Sequence, residues 1–477
     1  MKTMKYLFAM VLATGISTSA MAQDGTQADI AAVRNIINSK PADLDKQMKP
    51  FLKANKKNAD NLVAFGRAFY EAGDTANARA YADLALTASK RKSAGAYVLL
   101  GDIAAKGDDG GEAALQYEQA IMAAPTEPEA YYKYALIYRK RDREGAMAKL
   151  DELKQHRSDI DIDAIKGHIS SLSGDDAEAF KYYSRVPVER LERGHLVEFG
   201  RACFFTGHFK EGAAAAGQGL KIAPRNANFN RYAMMFNYEL KDYEKAKQYI
   251  DRYFHHTDSA KFSDADYYYA GLIHEAVKEY PEAIADYERA LKIEDENAIM
   301  EDEKILEQIL NAHIANNDYP KAIGHYRHHF ITNNKKPSYK NHDRLGKLYM
   351  EHAGKTEDPA VREKAMQDAD QAYREMGEKY ADLLEYATYM RASVNSQMDP
   401  DQSKGLAKPY YEKLIELIAP KAEKSKGDIQ FLTTSYHYLM AYSYFTEKSL
   451  PKAKEFAAKI LEINPGYQPA QQMMDLK

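Results

Sequence analysis

One short pattern recurs along the chain at a nearly fixed interval, and it restricts the fold more than any other feature. Its clearest copy runs from Tyr97 to Pro125. It starts with a bulky residue and a Leu-Gly pair, continues through a Gly/Asp turn and a second apolar stripe, and closes on Pro. Apolar residues three and four positions apart lie on one face of a helix. This copy therefore predicts two amphipathic helices joined by a tight turn.

The pattern can be aligned along most of the chain on the first bulky residue of each copy. These anchor positions are Leu62, Tyr97, Tyr131, Asp163, Leu196, Phe229, Tyr267, Leu306, His342, Leu383 and His437. The first six lie 32 to 35 residues apart, and the later ones are spaced more widely. Units repeating at such an interval stack on their neighbours and bury a continuous core. The units at Asp163 and Leu306 depart most from the pattern.

Small residues follow the anchors by four positions in most units, where we expect two helices to approach closely. They are Gly66, Gly101, Ala135, Gly167, Gly200, Ala233, Gly271, Gly346 and Ala441. Tyrosine is abundant, with 36 Tyr and no Trp. We attribute most of this excess to packing positions, namely Tyr131, Tyr134, Tyr138, Tyr182, Tyr183, Tyr287 and Tyr444.

With its Leu-Gly pair, its Ala-x3-aromatic spacing and its closing Pro, the unit resembles the tetratricopeptide repeat (TPR). The resemblance covers roughly residues 60 to 466 and implies an all-α fold. The expected architecture is a right-handed α-α superhelix, or solenoid, of about 11 TPR-like helix pairs with an N-terminal helical cap. We predict this cap at residues 28–57, a regular array at 58–331, a section with longer inter-helix loops at 338–466 and a tail at 467–477.

The N-terminus has the features of a signal peptide. Lys2 and Lys5 precede a short apolar stretch, and the small-residue sequence Ala20-Met21-Ala22 fits a cleavage site. We therefore predict a signal peptide at residues 1–22, cleavage after Ala22 and a periplasmic or secreted protein. Taken with the repeats, the chain resembles exported TPR proteins of Bacteroidetes-like bacteria. No later segment reaches the length of about 20 apolar residues that a membrane-spanning helix needs.

In TPR proteins the first helix of each unit lines a concave groove, and the resemblance implies the same here. Applied residue by residue, the family rule selects a partner-binding set: Arg67, Tyr70, Tyr132, Arg139, Arg201, Phe204, Asn230, Asn237, Tyr238 and Tyr268. Arginine can bind a carboxylate through two hydrogen bonds. Asparagine can bond the backbone of an extended peptide, and aromatic rings add contact area. The Lys/Asn/Arg set with which some TPR proteins clamp a terminal carboxylate is only partly present.

Other functional classes find little support in the sequence. The formal net charge of −4 shows no excess of positive charge suited to nucleic acid. Cys203 is the single cysteine, so an intrachain disulfide is impossible, and it occupies an aromatic packing position. His325 and His329 are four residues apart and could share a metal ion, but no carboxylate pattern supports them. We expect no catalytic residues, metal or cofactor, because the known nucleophile, phosphate and dinucleotide motifs are missing from the sequence.

Three functions remain open from the sequence. The first is a non-catalytic scaffold or adaptor of the cell envelope, which binds an extended peptide or helix of a partner protein in its groove. The second is a glycan-binding accessory protein at the outer membrane, for which exposed Tyr would stack on sugars. The third is an enzyme with a site in the C-terminal insertions, which contain Glu357, Asp358, Asp399 and Asp401.

Overall fold

The structure, a computed structural model, describes residues 23–258, 260–293 and 300–477. The predicted signal peptide lies outside these ranges. Across them the chain is α-helical without a β-strand, and an isolated bridge pairs Asn226 with Asp258. The fold class predicted from the repeats, an all-α solenoid of helix pairs, is confirmed. No helix of the described residues has the length and apolar character needed to cross a bilayer.

The chain forms two compact units that meet in sequence between Ala260 and Lys261. The first unit begins with a helix pair that lacks the repeat pattern, α1 (Gln23–Ser39) and α2 (Leu44–Asn55). Six repeat pairs follow: α3 (Ala59–Glu71) and α4 (Thr75–Ala88), α5 (Ala94–Lys106) and α6 (Gly110–Ala123), α7 (Pro128–Tyr138) and α8 (Arg143–His156), α9 (Ile162–Leu172) and α10 (Asp176–Tyr183), α11 (Arg193–Thr206) and α12 (Phe209–Ile222), and α13 (Ala227–Glu239) and α14 (Tyr243–His255).

The described part of the second unit contains five further pairs and a closing helix. These are α15 (Asp264–Ala276) and α16 (Tyr280–Leu291), α17 (Asp302–Ala315) and α18 (Tyr319–Tyr326), α19 (Tyr339–Lys355) and α20 (Pro359–Lys379), α21 (Leu384–Met398) and α22 (Lys408–Ile418), α23 (Lys426–Phe445) and α24 (Leu450–Ile463), and α25 (Gln468–Asp475). A π-helical turn, Arg327–Thr332, extends α18. The tail predicted at 467–477 thus contains a helix.

Two consecutive residues form the turn between the two helices of many helix pairs. A left-handed residue ends the first helix, and the next residue caps the second. In α4 these are Gly73, with φ +89°, and Asp74, whose carboxylate accepts the backbone N–H of Asn77 at 3.0 Å. The same Asp cap begins α6, α8, α10, α14 and α18. Such a cap accepts a hydrogen bond from one otherwise unpaired backbone N–H group and contributes about 1 kcal/mol to the stability of the protein.

Four of the small residues of the pattern, Gly101, Gly167, Gly271 and Gly346, lie where an aromatic ring of the second helix contacts the first helix. A Cβ at Gly101 would lie 2.4 Å from the Tyr117 ring, and one at Gly271 would lie 2.4 Å from the Tyr287 ring. No real Cβ tolerates such a distance, so glycine is required for the helices to approach this closely. Tyr117 is buried, and so is Tyr287, for which a packing role was predicted.

Within the first unit, the helices form two layers. The first helices α3, α5, α7, α9, α11 and α13 contact one another in sequence. Each second helix packs against its own partner, and those from α4 to α12 also pack against the next first helix. The core between the layers includes the fully buried rings of Phe65, Tyr131, Tyr183 and Phe199. Burial of a Phe side chain contributes about 1.5–3 kcal/mol. The first-helix layer is the surface to which the family rule assigns partner binding.

The two units of the sequence that depart most from the pattern differ from the others in the same way. Their second helices, α10 and α18, have only 8 residues, whereas α4, α6, α8 and α12 each have 14. An irregular turn follows each short helix, a 3₁₀ turn at Val188–Arg190 and the π-helical turn at Arg327–Thr332. Weak repeat patterns in the sequence thus correspond to second helices whose regular α-helical part is short, although the π-helical turn continues α18 to Thr332.

Part of the section predicted to have longer inter-helix loops is helical. The turn that contains Glu357 and Asp358 is short, because α19 continues to Lys355 and α20 begins at Pro359. Helix α23 begins 11 residues before its anchor His437, which accounts for much of the wide final spacing. The loop after α21 is ordered by Asp399, whose carboxylate accepts the backbone N–H groups of Lys404 and Leu406 at 3.2 Å.

Candidate partner-binding surface

Charged residues of the first-helix layer are paired with one another across neighbouring repeats. Asp102 on α5 is buried, and its carboxylate oxygens lie 2.6 and 2.8 Å from Nζ of Lys133 on α7. Arg67 on α3 also binds Asp102 through Nη1. The Tyr117 hydroxyl donates to Oδ1 of Asp102 at 2.8 Å. The predicted groove residue Arg67 is therefore already engaged by a carboxylate of its own chain.

A second series of polar contacts joins the repeats of α7, α9 and α11. His168 on α9 lies with Nδ1 2.9 Å from both oxygens of Glu198 on α11, and Nε2 is 3.2 Å from the Tyr132 hydroxyl on α7. A carboxylate only accepts, so in the neutral imidazole Nδ1 donates to Glu198 and Nε2 accepts from Tyr132. The Tyr183 hydroxyl also donates to Glu198.

This Glu-His-Tyr arrangement resembles a proton relay, but its electrostatics favour a structural role. Burial, together with the nearby Glu198 carboxylate, raises the pKa of Tyr132 above the value for a free phenol. Burial and Glu198 act on Tyr183 in the same direction and raise its pKa well above that value. Neither phenol is thereby activated as a nucleophile or a base at neutral pH. The arrangement links α7, α9 and α11 through hydrogen bonds.

The other two predicted arginines also have partners inside the chain. Arg201 Nη2 donates to the Ser171 carbonyl at 3.1 Å and lies 2.9 Å from Oδ1 of Asp176. Arg139 follows α7 and donates through Nη1 to the Leu136 carbonyl. Each guanidinium thus binds a backbone carbonyl near the C-terminal end of a helix. Binding of a partner's carboxylate would have to compete with these contacts.

Asn230 and Asn237 lie in the packing of α13 and are both buried. Asn230 Nδ2 donates to the carbonyls of Pro224 and Asn226, each at 2.9 Å. Asn237 Nδ2 donates to the Ala233 carbonyl at 2.6 Å. Both N–H groups of the Asn230 amide are thereby used, and the Asn237 amide is buried, so neither side chain is presented to the backbone of a peptide, although the family rule selects both.

Aromatic side chains lie at the ends of α11 and α13, where the predicted residues Phe204 and Tyr238 are joined by Phe205, which was not in the predicted set. Phe205 is 68% exposed, and its ring meets the half-buried ring of Phe204 edge-on at 5.5 Å. Phe204 also lies 6.4 Å from the Phe236 ring in the next repeat. Tyr238 is half-buried beside Tyr243, at 5.7 Å. We call Phe204, Phe205 and Tyr238 the aromatic edge of the first unit.

Two other predicted aromatics are more enclosed. Tyr70 is half-buried, its hydroxyl donates to the Asp102 carbonyl at 3.3 Å, and Lys106 Nζ lies 4.8 Å from its ring centre. Tyr268, in the second unit, is buried against Tyr287 at 5.7 Å. That unit has its own exposed ring at the end of a first helix, since Phe445 is 62% exposed next to Tyr444.

The remaining reactive groups show no organised chemistry. Burial raises the pKa of the Cys203 thiol above its ordinary value, which disfavours the nucleophilic thiolate. His325 and His329 contact each other at 4.7 Å between ring centres. Over the ranges that the structure describes, no group of three or more His, Cys, Asp or Glu side chains is placed to hold a metal ion.

The sequence analysis did not select Lys133 and Glu198, which take part in the two series of polar contacts through Asp102 and His168. Each lies two residues after its anchor, a position that the family rule does not assign to the groove. Their partners Asp102 and His168 lie five residues after the preceding anchors. A search for complementary side chains at these two positions of consecutive units would have found both contacts.

The helix pairs and the mutually paired polar residues define an all-α helical-repeat protein with an accessible aromatic edge. No family model and no curated protein matches the sequence. Among solved structures, the chain is similar to the C-terminal part of a TPR repeat-containing protein from Cytophaga hutchinsonii, with 22% identity over 59% of this chain and 100% of that one and a TM-score of 0.38.

Two further solved structures are similar over about half of the chain. One is a tetratricopeptide repeat protein from Parabacteroides merdae, with 16% identity, coverage of 53% of this chain and 98% of that one, and a TM-score of 0.32. The other is YrrB, described as a TPR protein with an unusual peptide-binding site, with 14% identity, 50% and 97% coverage and a TM-score of 0.26. At these scores, the fold assignment rests on the helices of the chain itself.

Proposed function

We propose that the chain is a non-catalytic scaffold of the cell envelope that binds a segment of a partner protein along the first-helix layer of its first unit. The observation that carries the proposal is the aromatic edge, where Phe205 is 68% exposed. Exposed apolar groups supported by a packed layer commonly mark protein interaction sites. The anchor of this surface is Phe205, and Phe204 and Tyr238 flank it.

The polar contacts beneath the edge support this role by fixing the helices that carry it. Arg201 joins α11 to α9 and α10, and Glu198 joins α11 to α9 through His168. A side chain presented by a rigid layer loses less conformational freedom on binding than one on a mobile loop. We therefore assign the Arg and Asn residues of the predicted set a supporting role, and the aromatic rings direct contact with the partner.

Site-specific photocrosslinking in the native cell envelope tests the proposal. A photoreactive phenylalanine analogue at Phe205 should give one defined protein adduct, and the Phe205→Ser variant should lose that partner in affinity capture. Met122 on the second helix α6 is a matched control because it is 70% exposed. The analogue at Met122 should give no such adduct, and Met122→Ser should retain the partner.

Two outcomes would contradict this assignment. Equal adducts from both positions would mean that the aromatic edge has no special role. A glycan-array signal for the full chain that Phe205→Ser abolishes, without a protein adduct, would favour the glycan-binding alternative.

A further inference from the structure

Histidine side chains are concentrated in one part of the second unit, around the π-helical turn. His313 lies on α17, His325 on α18, and His328 and His329 on the π-helical turn. Ring centres are 6.3 Å apart between His313 and His325, 4.7 Å between His325 and His329, and 4.6 Å between His328 and His329. π-Helical turns are rare and frequently occur at functional sites.

Several ring nitrogens in this region have no hydrogen-bond partner within the described chain. His342 on α19 is buried, and both its Nδ1 and its Nε2 are unpartnered, as is Nδ1 of His313. His325 Nε2 lies 2.9 Å from the Leu306 carbonyl, to which it donates. An imidazole with a buried, unpartnered nitrogen is held neutral, because a proton there would be a charge without water or an acceptor.

The charged groups facing these rings offer little compensation for added protons. Asp318, Lys321 and Glu288 face His313, and the Asp318 carboxylate already lies 3.0 Å from Lys321 Nζ. Lys379, Glu375 and Arg327 face His342, and Glu375 lies 3.9 Å from Arg327. The rings facing His325 are His313, His328 and His329. Protonation would therefore add positive charge beside cations and other imidazoles.

His352 on α19 extends the same region into an apolar cleft. The cleft has a volume of about 390 Å³ and lies between residues of α18, α19 and α20, with the Lys364–Asp368 ion pair among its lining residues. The Tyr319 ring stacks on His352 at 5.7 Å. Because Lys364 and Asp368 already balance each other's charges, a proton on His352 would lie in largely apolar surroundings.

We propose that residues 302–379, from α17 to α20, form an acid-responsive element of the second unit. Neutral imidazoles keep α18 and the π-helical turn packed against α17 and α19 at neutral pH. In mild acid, protonation of these rings makes the packing unfavourable and opens the element. Part of the first unit offers a contrast, because residues 59–155 contain no histidine, whereas His168 and His195 lie 5.7 Å apart further along that unit.

The sign of the effect follows from the ordinary titration of histidine. Burial lowers the pKa values of His313, His329, His342 and His352, and it lowers that of His325 to about 4. Below the ordinary value of 6.5, the open chain binds protons that the packed chain excludes. Stability is therefore lost as the pH falls from about 6.5 towards 4, and His325 alone raises the opening equilibrium roughly tenfold or more at pH 5.

Hydrogen exchange of the full chain at pH 7.5 and pH 5.0, corrected for the intrinsic pH dependence of exchange, tests the proposal. Peptides within 302–379 should lose protection roughly tenfold or more at pH 5.0. Peptides within 59–155, a stretch without histidine, should keep theirs. Equal protection of 302–379 at the two pH values, or an equal loss in 59–155, would overturn the proposal.

Two variants separate the buried rings from exposed ones. In the double variant His325→Gln and His342→Gln, most of the loss of protection at pH 5.0 in residues 302–379 should disappear. His255→Gln with His256→Gln changes two exposed rings on the first unit and should leave the response intact. If the first double variant fails to fold, the NMR titration of the histidines in the unmodified chain decides, since His325 and His342 titrating at or above pH 6.5 would refute the proposal.

Discussion

Lys133 on α7 reaches Asp102 on α5 and places its ammonium 2.8 and 2.6 Å from the two carboxylate oxygens. Arg67 on α3 binds the same carboxylate, so one buried acid joins three consecutive first helices. Removing Asp102 would leave Lys133 and Arg67 with the more exposed Glu129, 2.9 Å from Lys133 Nζ and 4.0 Å from Arg67 Nη2, in a poorly solvated site. Asp102 is therefore the residue of the first-helix layer whose loss should matter most to the stacking of its repeats.

We predict that Asp102→Ala destabilises the first unit by about 2 kcal/mol, less than the loss of a fully buried partner because Arg67 and Lys133 keep some contact with water. Urea unfolding followed by circular dichroism should show a lower midpoint. Asp159→Ala removes an exposed partner of Arg157 at 2.8 Å and is the control, with no change expected. Equal midpoints for the two variants would contradict the role of Asp102.

The close approach of α5 and α6 leads to a prediction about Gly101. Gly101→Ala should lower the free energy of unfolding by about 1–3 kcal/mol, because the new Cβ would displace the Tyr117 ring. Gly217→Ala on α12 is the matched control, since nothing lies within 4 Å of its added Cβ. Alanine there should stabilise the helix by about 0.5–1 kcal/mol. Thermal melts that shift in the same direction for both variants would argue against the observed packing.

Cys203 reports on the integrity of the α11 repeat. The side chain is 0% exposed, and burial raises its pKa, so the native thiol should react with a disulfide reagent at pH 8 on the order of 100-fold more slowly than the unfolded chain. Absorbance of the released thiolate measures both rates. Labelling of native protein at the unfolded rate would show that Cys203 is accessible and that the repeat opens readily.

The aromatic edge should be dispensable for folding. Phe205→Ser should change the free energy of unfolding by no more than about 0.5 kcal/mol, as for most exposed positions. Phe199→Ala on the same helix removes a buried ring and should cost about 3–5 kcal/mol. Paired denaturation curves test this contrast. A large loss for Phe205→Ser would make the ring structural and would weaken the proposed binding role.

The repeat pattern predicted the helix pairs and the close approach of helices at the small residues, because both depend on the spacing of residues along each unit. Gly101 and Tyr117 belong to a single copy, so their contact follows from helical periodicity, whereas Gly200 lies against Tyr232 of the next unit. The length of the turn after α19 could not be predicted in this way, since that helix continues to Lys355. Local sequence there contains turn formers, but packing against neighbouring helices determines where a helix stops.

The candidate surface could be predicted only in part, because contacts between units decide which side chains stay free. Arg67 and Arg201 occupy groove positions, yet acidic side chains of neighbouring helices already bind them. Asn230 donates to carbonyls at the start of its own helix. A family rule states which position faces a layer, whereas the identity of the neighbouring residue determines whether the side chain is available.

The short second helix α10 also has a mechanical consequence. Each repeat of such an array is held chiefly by its two neighbours, so a chain under tension gives way repeat by repeat. A helix of 8 residues presents less surface to those neighbours than one of 14, and it resists less. We expect optical-tweezer traces to show an early rip that releases the α9–α10 repeat, so that this place acts as a built-in weak link under load.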